Sequence, residues 1–171
     1  MKKLLILGAG GYGRTIADVA SQLGCYSSIA FLDDGQSGPD VLGKCHEYAL
    51  FADETTQVYP AFGNNTVRLQ WIRRLEESGV SVPVLVHPKA YVSPKASLEA
   101  GTVVLPMAVV NTGSRLEKGC IVNIGVLIDH DCVIEEGCHL APGVVIKAEN
   151  RIPAGMKIES GAVIKNREYP L

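Results

Sequence analysis

The chain has 171 residues, of which 47% are hydrophobic and 20% charged, enough apolar content to bury a core and too much for a disordered tail. Sixteen basic and 18 acidic side chains leave a net charge of −2, which excludes the strong positive field of a dedicated nucleic-acid binder. Five cysteines (Cys25, Cys45, Cys120, Cys132 and Cys138) are odd in number and form no C-x-x-C pair, a pattern of free thiols in a reducing cytoplasm rather than of a disulfide framework. The apolar run at 4–7 is broken at once by glycines, and no run approaches the ~20 residues of a membrane span.

In chain order, residues 3–7 read as a buried strand. Residues 14–23 read as a helix with Ile16, Val19, Ala20 and Leu23 on one face, and 28–32 as a second strand ending at Asp33-Asp34. Residues 35–48, with Gly35, Gly38, Pro39 and Gly43, read as loop. A strand is expected over 57–62, and a helix over 66–78 with Val67, Trp71, Ile72 and Leu75 inward. A last strand over 82–86 leads into the rest of the chain. These elements predict an α/β, Rossmann-like half domain over residues 1–85.

Between the first strand and helix, Gly8-Ala9-Gly10-Gly11-Tyr12-Gly13 satisfies G-x-G-x-x-G, and Asp33 follows the last glycine by 20 residues. Glycines there let a phosphate reach backbone N–H groups and the helix N-terminus, while the acid can bind a ribose hydroxyl. The motif alone suggests NAD. Yet 85 residues hold half of a dinucleotide fold and no substrate domain, so a mononucleotide or nucleotide sugar fits better. A tight strand–helix turn without a ligand is the alternative.

From Val86 onward every sixth residue is Val, Ile or Leu: 86, 92, 98, 104, 110, 116, 122, 128, 134, 140, 146, 152, 158 and 164. With those types making up roughly a quarter of the chain, chance agreement is on the order of one in 10⁸. Four residues after each apolar position the residue is mostly small (Ala90, Ala96, Thr102, Ala108, Ser114, Cys120, Cys132, Cys138, Ala162), and glycine often precedes it. A period of six fits neither a helix nor a long strand. It fits a parallel β-helix over residues 86–171, each hexad one flat side and a corner. Cys120, Cys132 and Cys138 share the small-residue register and read as core.

Asp129-His130-Asp131 lies near a corner of this repeat. An imidazole beside a carboxylate is a natural general base, oriented and made more basic by the acid. Either aspartate could serve, and a plain surface histidine is the bland reading. His139 is nine residues on; the hexad pattern resembles the left-handed hexapeptide-repeat acyltransferases, whose three-sided section implies an 18-residue coil, so the two histidines should lie on opposite sides of one prism and converge only across a subunit boundary. Asn111, one coil before Asp129, is either a rung of a polar ladder or a corner residue. His87 sits at the start of the repeat, which leaves no third imidazole for zinc, and no metal is expected.

Taken together, the strand into GAGGYG, FLDD at 31–34, FGNN followed by Arg68, VHPKAYVSP at 86–94 and Asn123…Asp129-His130-Asp131-Cys132…His139 resemble the nucleotide-sugar acyltransferases of the sialic-acid O-acetyltransferase (NeuD) and UDP-4-amino-sugar N-acetyltransferase (PglD) type. The resemblance implies a left-handed, three-sided β-helix and a homotrimer with sites at subunit boundaries. It implies transfer of an acetyl group from acetyl-CoA to an amino or hydroxyl group of a nucleotide-activated sugar, in bacterial surface-glycan or sialic-acid-like sugar biosynthesis. His130 would be the base, with Asp129 or Asp131 orienting it and Asn123 positioning the reactants. His139 of a neighbouring subunit and the Ala148 N–H would meet the acetyl donor. Gly8, Gly10, Gly11, Tyr12, Gly13, Asp33, Asp34, Gly63, Asn64 and Arg68 would hold the nucleotide sugar.

Two departures bear on that expectation. Tyr12 stands where the family commonly has His, and Lys147-Ala148-Glu149 replaces an Ala-Gly-Asn stretch in a β-helix with fewer coils than usual. An NAD-linked oxidoreductase, or a nucleotide-sugar-binding module without activity, are the rival readings.

Overall fold

A computed structural model describes residues 1–171 as two units, Met1–Pro83 and Val84–Leu171. In the first unit, strand β1 (Lys2–Leu7) is followed by helix α1 (Gly11–Leu23), β2 (Tyr26–Leu32), β3 (Val41–Gly43), helix α2 (Tyr48–Phe51), β4 (Thr56–Pro60) and helix α3 (Asn65–Glu77). The strands make one parallel sheet in the order β3-β2-β1-β4. Leu4, Leu5, Ile6 and Leu7 are all buried, as a central parallel strand covered on both faces requires. Helix α1 turns Ile16, Val19 and Ala20 inward and stops at Gly24, whose φ of 65° is left-handed.

Three local expectations change. Residues 35–48 contain β3, and a single 3₁₀ turn at Cys45–Glu47 runs into α2; tertiary pairing of Phe31 and Leu32 with Val41 and Gly43 overrides the glycine-rich composition. The strand expected at 82–86 shrinks to Leu85–Val86, with Ser81 bridging Gln57 before it; Pro83 between them has no N–H to donate to a ladder. In α3 the buried face is Arg68, Ile72 and Leu75. Trp71 lies at its border, stacked on Phe62 with ring centroids 6.3 Å apart.

The second unit is a left-handed parallel β-helix of two-residue strands in three sheets of four, five and five. Face A carries Ser97–Leu98, Arg115–Leu116, Val133–Ile134 and Arg151–Ile152. Face B carries Leu85–Val86, Val103–Val104, Ile121–Val122, His139–Leu140 and Lys157–Ile158. Face C carries Tyr91–Val92, Val109–Val110, Leu127–Ile128, Val145–Ile146 and Val163–Ile164. The second residue of each pair points inward, and the resulting columns form one core with Cys120, Cys132 and Cys138 among its members.

The small-residue register does more than save space. Thr102 Oγ1 donates to Glu117 O (3.0 Å), Ser114 Oγ to Asp129 O (2.6 Å) and Asn150 Nδ2 to Lys165 O (2.8 Å). The thiols of Cys120, Cys132 and Cys138 reach Glu135 O, Lys147 O and Pro153 O at 3.2, 3.3 and 3.1 Å. Each donor thus meets a partly buried carbonyl 15 residues ahead, at a corner of the next coil. Behind the last corner, residues near the C-terminus fold back: Asn150 Oδ1 accepts from Tyr169 N at 2.8 Å, and Arg151 N donates to Tyr169 O at 2.7 Å. No helix in the chain is long and apolar enough to cross a membrane.

Candidate active site

Residues 129–131 form the corner that leaves face C after Leu127–Ile128. Asp131 has a φ of 56°, a left-handed conformation that aspartate tolerates better than most residues. The turn aims its carboxylate at its neighbour, and Asp131 Oδ2 lies 2.8 Å from His130 Nδ1. A carboxylate only accepts, so the Nδ1 carries the proton and the Nε2 lone pair is left for an external partner. The His130 side chain is 45% exposed, accessible to a substrate. Its hydrogen bond to Asp131 raises the imidazole above its ordinary value against the opposing effect of burial, and the charges of Asp129, Asp131 and Glu149 add to the rise.

Asp129 is engaged differently. Its Oδ1 accepts from the backbone N–H of His130 at 2.8 Å and from Asn111 Nδ2 at 3.3 Å, so Asn111 does form a rung with it. Asn111, Asp129 and Lys147 edge a shallow cavity of about 260 Å³ on face C, floored by Val109, Leu127 and Val145. Ala148 is buried one coil beyond His130, its carbonyl 3.5 Å from Asn150 Nδ2.

Asn123 and His139 belong to face B. Asn123 Nδ2 lies 3.5 Å from His139 Nε2, and Asn123 Oδ1 accepts from Ile124 N at 2.8 Å. Within one chain the expected site residues therefore fall into two groups, His130 with Asp129 and Asp131, and His139 with Asn123. Asn123 and His139 come together because Ile121 pairs with His139 on face B, which sets Asn123 two residues past that rung.

In the first unit, the four glycines of the loop divide by cause. Gly8 has a φ of 102°, and a Cβ on Gly13 would stand 1.9 Å from Gly8 O, so the fold itself requires these two. Gly11 has nothing within 4 Å of its missing Cβ and Gly10 only the end of the Gln36 side chain at 4.0 Å. Gly10 caps α1 with no side-chain hydrogen bond to its first turn. Tyr12 hydroxyl meets Tyr59 hydroxyl at 2.9 Å, and burial pushes the Tyr12 phenol up to about 12 despite that bond and the nearby Arg68 charge.

The acids and the basic residue of this region are braced. Asp33 Oδ2 accepts from Ala9 N at 2.7 Å, and its Oδ1 accepts from Gly35 N and Gln36 N at 2.8 and 2.7 Å. Burial would raise its carboxyl, but these amides and the Lys44 charge outweigh it and hold the group below the usual range. Asp33 thus ties the glycine loop to the loop after β2, a role that the ribose-binding expectation did not contain. Asp34 Oδ1 accepts from Cys45 N at 3.0 Å, and Asn64 caps α3 through Val67 N at 3.0 Å. Gly63 precedes that cap and is exposed. Arg68 is fully buried and donates to Phe62 O at 2.9 Å and Asn65 Oδ1 at 2.8 Å. It shapes the turn before α3 from inside.

Known proteins share this fold. Residues 3–75 match the PglD N-terminal domain family, and residues 113–148 the bacterial transferase hexapeptide (six repeats) family. The acetyltransferase domain of PglB from Neisseria gonorrhoeae is 37% identical, with a TM-score of 0.95 over 98% of this chain and 84% of that one. The same domain in complex with acetyl coenzyme A gives 0.94 over 97% and 83%. WeeI from Acinetobacter baumannii, 23% identical, superposes with a TM-score of 0.88 over 100% and 85%. A perosamine N-acetyltransferase from Caulobacter crescentus, solved with CoA and GDP-perosamine, is 22% identical, with 0.76 over 95% and 91%. The last two show the shared fold.

Proposed function

The chain belongs to the PglD-type acetyltransferases of the hexapeptide-repeat class, and from that premise we propose that it transfers an acetyl group from acetyl-CoA to an amino or hydroxyl group of a nucleotide-activated sugar, in bacterial glycan biosynthesis in the cytoplasm. The observation that carries the reading is the His130–Asp131 pair, 2.8 Å apart at an exposed corner. The sugar nucleophile attacks the thioester carbonyl; a C–N or C–O bond forms and the C–S bond breaks. The proton passes from the nucleophile to His130 Nε2 and then to the CoA sulfur. Asp131 fixes the ring and stabilises the imidazolium. No covalent enzyme intermediate is required.

The remaining assignments are part of the same proposal. The first unit binds the nucleotide sugar, its phosphates meeting the backbone at Gly10 and Gly11 and the start of α1; the open space at those two glycines supports this. Face C supports a homotrimer: its outward residues Tyr91, Val109, Leu127, Val145 and Val163 are all apolar, and Tyr91, Leu127 and Val163 are 44–56% exposed. Such a stripe seeks a partner, and it runs beside the corner of His130. A neighbouring subunit then supplies His139 and Asn123 toward the acetyl donor, with Ala148 as an oxyanion contact.

A thiol-release assay with acetyl-CoA against a panel of nucleotide sugars tests the activity. Release that depends on one nucleotide sugar supports it. Binding of a nucleotide sugar without thiol release would select an inactive binding module, and tight NAD binding without either would select an oxidoreductase.

A further inference from the structure

The corner one coil before His130 is built around it. Asp131 N donates to Thr112 O at 3.0 Å. Ser114 Oγ donates to Asp129 O at 2.6 Å and accepts from Cys132 N at 3.0 Å, so one hydroxyl holds both ends of the 129–132 turn. Between Thr112 and Ser114 stands Gly113. A Cβ placed on Gly113 would lie 2.2 Å from Asp131 Oδ1 and 3.3 Å from its Cγ. The other oxygen of that carboxylate is the one 2.8 Å from His130 Nδ1. Three corner glycines lack this relation: Gly125, Gly155 and Gly161 have φ of 66–71° and nothing within 4 Å of the missing Cβ.

We propose that Gly113 is a positioning residue for the acetyl transfer: its missing side chain is the seat of the Asp131 carboxylate, and the seat holds that carboxylate against the His130 ring. Gly113 touches neither substrate nor the reacting atoms and acts only through Asp131. A left-handed φ of 72° explains a glycine here, but it explains Gly161 equally, and Asp131, Glu149 and Arg167 occupy the same corner in the next three coils without being glycine. The space, rather than the backbone angle, sets Gly113 apart. A methyl group there has to displace the carboxylate, which is the mobile end of its side chain, so the effect falls on His130 more than on folding. The charged groups facing His130 are Asp131, Asp129 and Glu149, the last paired with Arg167; only Asp131 is reached from Gly113.

The inference rests on His130 as the base, and its test is readable without turnover. The His130 ring is titrated by NMR in the wild type, Gly113→Ala, Gly161→Ala and Asp131→Asn. Gly113→Ala is expected to move the His130 midpoint down, in the direction of Asp131→Asn, and Gly161→Ala to leave it in place. The pH-rate limb of kcat/KM should move with it. If Gly113→Ala does not fold, Gly113→Asn supplies the same Cβ on a residue that accepts a left-handed backbone. An unmoved midpoint in a folded Gly113 variant, or an equal shift in Gly161→Ala, overturns the seat. A moved midpoint together with normal turnover in His130→Ala would leave the seat standing and overturn the base.

Discussion

Asp131, and not Asp129, hydrogen-bonds the imidazole of His130: its Oδ2 is 2.8 Å from Nδ1, while Asp129 Oδ1 is turned onto the His130 backbone N–H. Two flanking acids that look equivalent in sequence therefore do different work. The left-handed φ of Asp131 folds its side chain back along the ring, and Asp129, held by Asn111 and through its carbonyl by Ser114, fixes where the turn begins.

That difference predicts two pH profiles. A hydrogen-bonded carboxylate raises the His130 pKa, so more imidazolium is present at a given pH and the free base appears only at higher pH. Removing the charge in Asp131→Asn should shift the rising limb of kcat/KM to lower pH while kcat falls from poorer orientation. Asp129→Asn should shift the limb less, since it acts only through space, and should lower thermal stability more. Equal limbs in the two variants would contradict the division of roles.

For the base itself, His130→Ala should lower kcat by roughly 10²–10⁴-fold and leave the nucleotide-sugar Kd, which the proposal assigns to the first unit, nearly unchanged. His139→Ala should act on the KM for acetyl-CoA. Steady-state kinetics with each substrate varied in turn separates the two effects. Near-normal turnover in His130→Ala would mean that the sugar amine reacts already deprotonated.

The hexad made the β-helix legible because one geometric constraint repeats in it: every sixth side chain must be branched and inward. What the period could not carry was the second column. Thr102, Ser114, Cys120, Cys132, Cys138 and Asn150 look like a small-residue rule, yet their shared property is an O–H, S–H or N–H aimed at a carbonyl one coil on. The signal was present as the absence of alanine at these positions. In the first unit the glycine loop was legible, but the partners of Asp33 and Arg68 were not. Both look like ligand contacts in a motif, and both are engaged by backbone groups brought close only by the folded turns.

The thiol column has a measurable consequence. Cys138→Val keeps size and apolarity but removes the thiol 3.1 Å from Pro153 O, which keeps only the Met156 N–H at 3.2 Å, a loss of about 0.5–1.5 kcal/mol. Cys138→Ser retains a donor and should cost less. Urea unfolding of both variants checks the order; a valine variant as stable as wild type would reduce the column to packing.

The glycine loop allows a sharper separation, because the structure assigns different reasons to glycines that a motif treats alike. In Gly13→Ala the new methyl meets Gly8 O at 1.9 Å. A backbone carbonyl just past the end of β1 cannot step aside as a side chain does, so α1 has to move off the sheet, at a cost of about 1–3 kcal/mol or more. In Gly11→Ala the methyl meets nothing within 4 Å. Position 11 is the first residue of α1, where alanine is a better helix former than glycine by about 1 kcal/mol, so stability should hold or rise. The same methyl stands where a phosphate would approach the backbone, and nucleotide-sugar affinity should fall while thermal stability does not. Calorimetric titration beside thermal unfolding measures both quantities on each variant. A Gly11→Ala protein that binds the nucleotide sugar with unchanged affinity would move the phosphates away from this loop, and the loop would then be a strand–helix turn whose remaining glycines serve packing alone.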